Sequence, residues 1–162
     1  IFIGLGSNLG DRGKNLQGAL ILLEKWGILV IRSSSIYKTA PVGYENQPDF
    51  YNMVIKAETT SSPEEALNIL HAIERALGRI RDKNTLRCGP RAIDLDLLFF
   101  NDRIINKEEL QIPHPRIHKR RFVLIPMVEI APDFLHPLLK KNMRKLLREC
   151  KDNTKVSLQE GS

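Results

Sequence analysis

Residues 62–78 announce a helix at both ends, and that segment limits what the rest of the chain can build. Ser62-Pro63-Glu64-Glu65 combines an N-cap hydroxyl, proline at the first helical position and a glutamate placed to close a capping box. Leu67, Leu70, Ile73 and Leu77 then recur on one stripe before Gly78 ends the pattern. One apolar stripe on an otherwise polar helix has to be covered by a neighbouring layer. The flanking segments read as strands, 50–58 before the helix and 93–100 after it, with the polar stretch 79–91 between helix and second strand.

Nearer the N-terminus, 1–5 is a short apolar run that enters a turn at Gly6-Ser7-Asn8. From Asp11 onward Leu16, Ala19, Leu20, Leu23 and Trp26 return at helical spacing until Gly27. Residues 28–37 are β-branched and partly alternating, a further strand, and 39–48 contains Pro41, Gly43 and Pro48, a loop. The order is therefore β-α-β-β-α-β, a ferredoxin-like α+β arrangement with two helices packed on one face of a mainly antiparallel sheet. Asn101-Asp102 adds a hairpin, with a short return strand expected at 103–105. Further on, 122–130 is apolar but contains Pro126, so a short helix is expected to start near that proline. Leu139, Met143, Leu146, Leu147 and Cys150 fit a last amphipathic helix with a basic outer face.

At 162 residues, 42% hydrophobic and 27% charged, the chain suits one soluble domain, expected over 1–150, followed by a frayed polar tail over 151–162. No apolar run reaches the roughly 18 residues of a membrane span. No signal-peptide pattern is read at its start, which is Ile1 rather than Met, and a cytoplasmic setting is expected. Cys88 and Cys150 carry no metal-ligand spacing and read as reduced thiols. The net charge of +6 points to an anionic partner, whether nucleic acid, an acidic membrane or a polyphosphate.

Asp94-Leu95-Asp96 narrows that choice. Side chains two apart on a strand point the same way, so both carboxylates converge while Ile93, Leu95, Leu97 and Phe99 turn to the core. Two carboxylates held side by side need positive charge between or beside them. Mg²⁺ and neighbouring arginines serve equally well at this point. Arg79, Arg81, Lys83, Arg87 and Arg91 crowd the loop that leads into the strand. A solvated charged loop is the ordinary reading of such a run. A Mg²⁺-polyphosphate site explains better why it abuts the aspartates, because arginine forks take the phosphate charge the metal leaves. Neither common phosphate device is complete: Gly13-Lys14-Asn15 lacks the hydroxyl of a P-loop, and Gly4 to Gly10 has its third glycine one place too late for a dinucleotide turn.

Gly6-Ser7-Asn8-Leu9-Gly10-Asp11 resembles the start of the 6-hydroxymethyl-7,8-dihydropterin pyrophosphokinases, the folate-pathway kinases. Gly89-Pro90-Arg91-Ala92-Ile93-Asp94-Leu95-Asp96-Leu97-Leu98 is similar to that family's signature segment, and Ile112-Pro113-His114-Pro115-Arg116 and Glu129-Ile130-Ala131-Pro132 continue the likeness. It runs in order over about residues 1–137. The resemblance implies transfer of the terminal diphosphate of ATP to the hydroxymethyl group of a reduced pterin, releasing AMP, with two Mg²⁺ ions. It implies metal ligation by Asp94 and Asp96, catalytic roles for Arg79 and Arg91, and nucleotide contacts from His71, Glu74, Arg81, His114 and Arg120. The pterin would stack between Phe50 and Phe122, with Asn52 reading its edge and Thr39, Pro41 and Val42 lining the wall. His71 stands where many bacterial members carry Gln, Phe50 where Tyr is frequent, and Cys88 where some members carry Trp. The 79–91 loop is expected to close over bound ATP.

Small-molecule substrates, no nucleic acid, no membrane and a monomer are the expected partners. The main rival is an RNA-binding module, since the same topology serves that role. Aromatic residues at only 6%, with no stacking motif in the strands, argue against it. A different Mg²⁺-dependent phosphoryl transferase would share the aspartates and arginines but would not require Phe50, Asn52 and Phe122 to form a slot.

Overall fold

The computed structural model describes residues 1–41, 46–78 and 91–159. The elements run β1 (Phe2–Ser7), α1 (Arg12–Lys25), β2 (Leu29–Ser33), β3 (Tyr37–Thr39), β4 (Phe50–Glu58), α2 (Pro63–Ala76) and β5 (Asp94–Phe99). There follow β6 (Ile105–Asn106), β7 (Gln111–Ile112), a 3₁₀ turn at Ile117–Lys119, α3 (Arg121–Ile130), α4 (Met143–Glu149) and β8 (Val156–Leu158). The main sheet has the order β5-β1-β4-β3-β8, with β2 also on β4, and every pairing in it is antiparallel. That is the expected α+β architecture, with β1 and β4 at its centre.

Both early helices form where their end signals place them. Asp11 accepts the Lys14 N–H at 3.1 Å to start α1, and Ser62 Oγ accepts the Glu65 N–H at 3.1 Å while donating to Glu65 Oε1. Each such cap is worth about 1 kcal/mol. Gly27 and Gly78 follow the helices at φ +90° and +95°, a conformation open to glycine without strain. α1 and α2 pack on one sheet face, where Leu16, Ala19, Leu23, Ala66, Leu70 and Ile73 meet Ile3, Leu5, Met53, Ile55 and Leu95.

The opposite face is covered too, by α3 and α4, the two later helices that the sequence indicates but does not place on the sheet. Val123, Leu124, Met127 and Ile130 of α3 and Met143 and Leu146 of α4 join Phe2, Val54, Leu98 and Phe99 in a second core. A bulge sends Phe99 there: β1 pairs Ile3 with Leu97 but Phe2 with Phe99, so Leu98 is an extra residue and the alternation flips. Phe99 therefore leaves the core face of Ile93, Leu95 and Leu97.

Five further expectations are corrected. The 28–37 strand is broken into β2 and β3, because the Ser35 N–H is taken by Glu129 of α3 rather than by a strand. The hairpin exists, but β6 pairs with β7 and not with β5, and it begins at Ile105. α3 starts at Arg121 with Pro126 inside it, since packing of the apolar stripe outweighs the one backbone bond the proline cannot make. α4 is capped by Asn142, leaving Leu139 outside the helix although packed on its core. The frayed tail is instead ordered as far as β8, which pairs with β3. Cys150 is a free thiol, and Cys88 lies outside the described residues.

Candidate active site

The second sheet face is apolar only in part. Gly6 sits between Asn52 on β4 and Asp94 on β5, and Gly4 sits between Val54 and Asp96. Across these rows the middle strand contributes no side chain, so Asn52 and Phe50 lean over the Gly6 backbone and Leu98 over Gly4, while Asn52 and Asp94 stand two strand spacings, about 10 Å, apart. Strand alternation puts Asp94 and Asp96 on this face of β5, both half-buried, while Leu95 between them is buried in the first core. Glu74, buried on α2, accepts the Leu95 N–H at 2.9 Å and so holds the backbone between the two aspartates.

Arg91, three residues before Asp94, donates from Nη1 to Asp94 Oδ2 at 3.1 Å. Its guanidinium also lies 5.5 Å from the Phe50 ring centroid. Phe50 and Asn52 share a face of β4, and Asn52 Nδ2 donates to Thr39 Oγ1 at 2.7 Å in a buried bond. A side chain on Gly6 would put its Cβ 2.6 Å from Asn52 Oδ1, so this position excludes all residues but glycine in the present packing.

Beyond Asp96 a cleft of ≈ 350 Å³ opens, lined by His71, Asp96, His114, Arg116 and Arg120 among others. His114 is pushed down to about 4, first by burial and then by the Arg120 and Arg116 charges, against a smaller opposing pull from Asp94. Its Nδ1 accepts the Arg116 N–H at 3.2 Å, so the neutral ring that this network assigns carries its proton on Nε2. Arg120 lies 5.6 Å from the Phe122 ring centroid at the start of α3.

The structure thus brings Arg91, Asp94, Phe50, Asn52 and Thr39 into one corner, and Asp96, His71, His114 and Arg120 around one cleft beside it. Glu74 stands beneath β5 rather than on the cleft wall. Pro41 is half-buried at the end of its described segment. Arg79, Arg81 and Val42 lie outside the described residues. Two residues were quoted in motifs without a role. Arg116 lines the cleft, and Asn8, 2% exposed, accepts the Arg91 N–H through Oδ1 at 2.9 Å. The signal was there for Asn8: an amide in a turn next to a strand end usually has a backbone partner to hold.

Solved structures share this fold, two of them as follows. HPPK-DHPS in complex with substrates superposes with a TM-score of 0.72 at 18% identity, covering 91% of this chain and 42% of that one. Plasmodium falciparum HPPK-DHPS with pterin and p-hydroxybenzoate gives 0.73 at 20% identity, over 91% and 43%. Sequence likeness reaches further. The 2-amino-4-hydroxy-6-hydroxymethyldihydropteridine pyrophosphokinase of Bacillus subtilis is 47% identical over 131 residues, 80% of this chain and 77% of that protein. The protein of the same name from Aquifex aeolicus is 36% identical over 149 residues, 92% and 91%. A folic acid synthesis protein of Pneumocystis carinii is 44% identical over 138 residues, and this chain spans only 18% of its length.

Fold and relatives together define a transferase of the pyrophosphokinase class. The profile of the 7,8-dihydro-6-hydroxymethylpterin-pyrophosphokinase (HPPK) family matches residues 2–132, and the chain belongs to that family.

Proposed function

We propose that this chain transfers the terminal diphosphate of ATP to the hydroxymethyl group of 6-hydroxymethyl-7,8-dihydropterin in folate biosynthesis. The observation that carries the reading is one cross-strand row: a stacking and amide corner at Phe50 and Asn52 lies two strands from a carboxylate–arginine edge at Asp94, Asp96 and Arg91. In the transfer, the pterin hydroxymethyl oxygen forms a bond to the β-phosphorus of ATP. The bond from that phosphorus to the α,β-bridging oxygen breaks, and AMP departs with the bridging oxygen. The hydroxyl proton passes to solvent or to a phosphate oxygen, and no strong side-chain base is required. Positioning and charge neutralisation supply the rate.

Among the described residues no group of three or more His, Cys, Asp or Glu side chains converges on one point. Two carboxylates on one strand face, with the other positions left to phosphate oxygens, fit Mg²⁺, which keeps few protein ligands. Asp94 and Asp96 would hold two such ions, which when bound neutralise phosphate charge and align the attacking and leaving oxygens. Arg91 then holds phosphate charge by forked hydrogen bonds, with Arg79 and Arg81 assigned the same task by family likeness. Neutral His114 lines the cleft and can donate from Nε2, and Arg120 supplies a fixed positive charge there; His71 belongs to the nucleotide side, and Glu74 serves it only from beneath, by holding the β5 backbone. Phe50 and Phe122 flank the pterin, Asn52 pairs with its edge, and Thr39, Pro41 and Val42 close the wall.

The same reading takes 1–150 with β8 as one domain, acting as a monomer on small molecules in the cytoplasm. Among the described residues no helix is long and apolar enough to cross a membrane. The test is a product assay with Mg²⁺, ATP and the reduced pterin. AMP that forms only when all three are present supports the reading. AMP formation that ignores the pterin, or none from folded protein, removes it.

A further inference from the structure

We propose that Asn8 is a positioning residue that ties the pterin wall to the catalytic arginine; the inference rests on the function just proposed. Asn8 follows the last residue of β1 and is buried at 2% exposure. Its backbone N–H donates to the Arg91 carbonyl at 3.1 Å, and its Oδ1 accepts the Arg91 N–H at 2.9 Å. Its Nδ2 donates to Gln47 Oε1 at 2.8 Å and to the Pro48 carbonyl at 3.0 Å.

One side chain thus joins three segments that are 39 to 83 residues apart in the chain. Each arm reaches a functional element. The Oδ1 arm fixes the backbone of Arg91, whose guanidinium meets Asp94 Oδ2 and the Phe50 ring. The Nδ2 arm fixes residues 47–48, directly ahead of Phe50 on β4. The turn that presents Asn8 is itself braced, since Asn15 Nδ2 donates to Ser7 Oγ at 3.1 Å and to the Leu9 carbonyl at 2.8 Å. Gly10 completes it at φ +71°.

The chemistry asks for asparagine. An acceptor and two donors must leave one planar group in opposite directions, which aspartate, serine and the aliphatic residues do not supply. Asn8 touches no reacting atom in this scheme. It acts through Arg91 on turnover and through residues 47–48 on pterin binding.

A double-mutant cycle separates this role from plain stability. Asn8→Ala should lower kcat about 30-fold in the native background, since sub-ångström placement of a catalytic group is worth factors of this order. In an Arg91→Ala background the same change should lower kcat by less than about threefold, because the group it positions is gone. The loss in thermal midpoint should be alike in both backgrounds. Equal kcat factors in the two backgrounds, or an unchanged kcat in folded Asn8→Ala, would overturn the proposal. If Asn8→Ala does not fold, Asn8→Asp decides, as it keeps the acceptor for the Arg91 N–H but loses the donor to residues 47–48. Its kcat should stay within about threefold while KM for the pterin rises about tenfold, and the reverse split overturns the proposal. The unsubstituted protein is measured alongside: if it makes no AMP, the functional reading itself has failed, whereas an active protein leaves the cycle to judge Asn8 alone.

Discussion

Gly6 lies between Asn52 on β4 and Asp94 on β5, and Gly6→Ala tests whether the packing there is as tight as the geometry indicates. The new Cβ would sit 2.6 Å from Asn52 Oδ1 and 3.6 Å from Phe50 Cδ1. Asn52 cannot swing aside freely, because its Nδ2 is bonded to Thr39 Oγ1 at 2.7 Å and both residues are buried. Moving it leaves a buried hydroxyl short of a partner, about 1–3 kcal/mol, and crowds the corner for about 1–3 kcal/mol more. Alanine regains only about 0.5–1 kcal/mol through the stiffer unfolded chain and better strand propensity. The net expectation is a loss of about 3 kcal/mol, read by urea unfolding at constant m-value, together with a raised KM for the pterin. In an Asn52→Ala background the clash is absent, and the cost of Gly6→Ala should fall below about 1 kcal/mol. A stabilised Gly6→Ala protein, or the same cost in both backgrounds, would refute the reasoning.

Three other outcomes follow from the same structure. Asp96→Ala should lower kcat by about 10³ or more while circular dichroism and the melting transition stay near those of the unsubstituted protein; normal turnover would contradict its role on the phosphate edge. His114 and His136 are both pushed down to about 4, in each case first by burial, so the folded state prefers the neutral rings. Their contribution to stability is complete above about pH 6.5 and is lost as pH falls towards 4; urea midpoints should decline over that window, and His136→Asn, which can still accept the Leu138 and Leu139 N–H bonds, should flatten part of the decline. Glu129→Ala should destabilise the fold by about 1–2 kcal/mol, because its carboxylate accepts the Ser35 N–H and hydroxyl and the Tyr37 hydroxyl at 2.6 Å; an unchanged urea midpoint would show that this latch between α3 and the sheet carries no weight.

What the sequence disclosed follows the range of the forces involved. α1, α2 and β4 were legible because their signals are local: the Asp11 and Ser62 caps, the stops at Gly27 and Gly78, and the strand over Phe50–Glu58. Asp94 and Asp96 were legible for the same reason, since a two-residue period fixes a shared face whatever the sheet does. The break at Ser35 was not, because the carboxylate that takes its N–H comes from Glu129, 94 residues away. β8 was hidden likewise: three residues of modest strand character acquire order only by pairing with β3. Pro126 misled as a helix start because tertiary burial of Leu124, Met127 and Ile130 overrode a local rule. Asn8 read as one more turn residue until its partners, distant in the chain, were brought to it.

Intact transfer of a diphosphate is the claim on which the assignment of Asp94, Asp96 and Arg91 depends. Phosphorus NMR of the complete reaction with Mg²⁺, ATP and 6-hydroxymethyl-7,8-dihydropterin measures it without inference. Two mutually coupled phosphorus signals on the pterin, appearing in step with AMP, are the expected result. A single phosphoryl group on the pterin with ADP as the second product would contradict it.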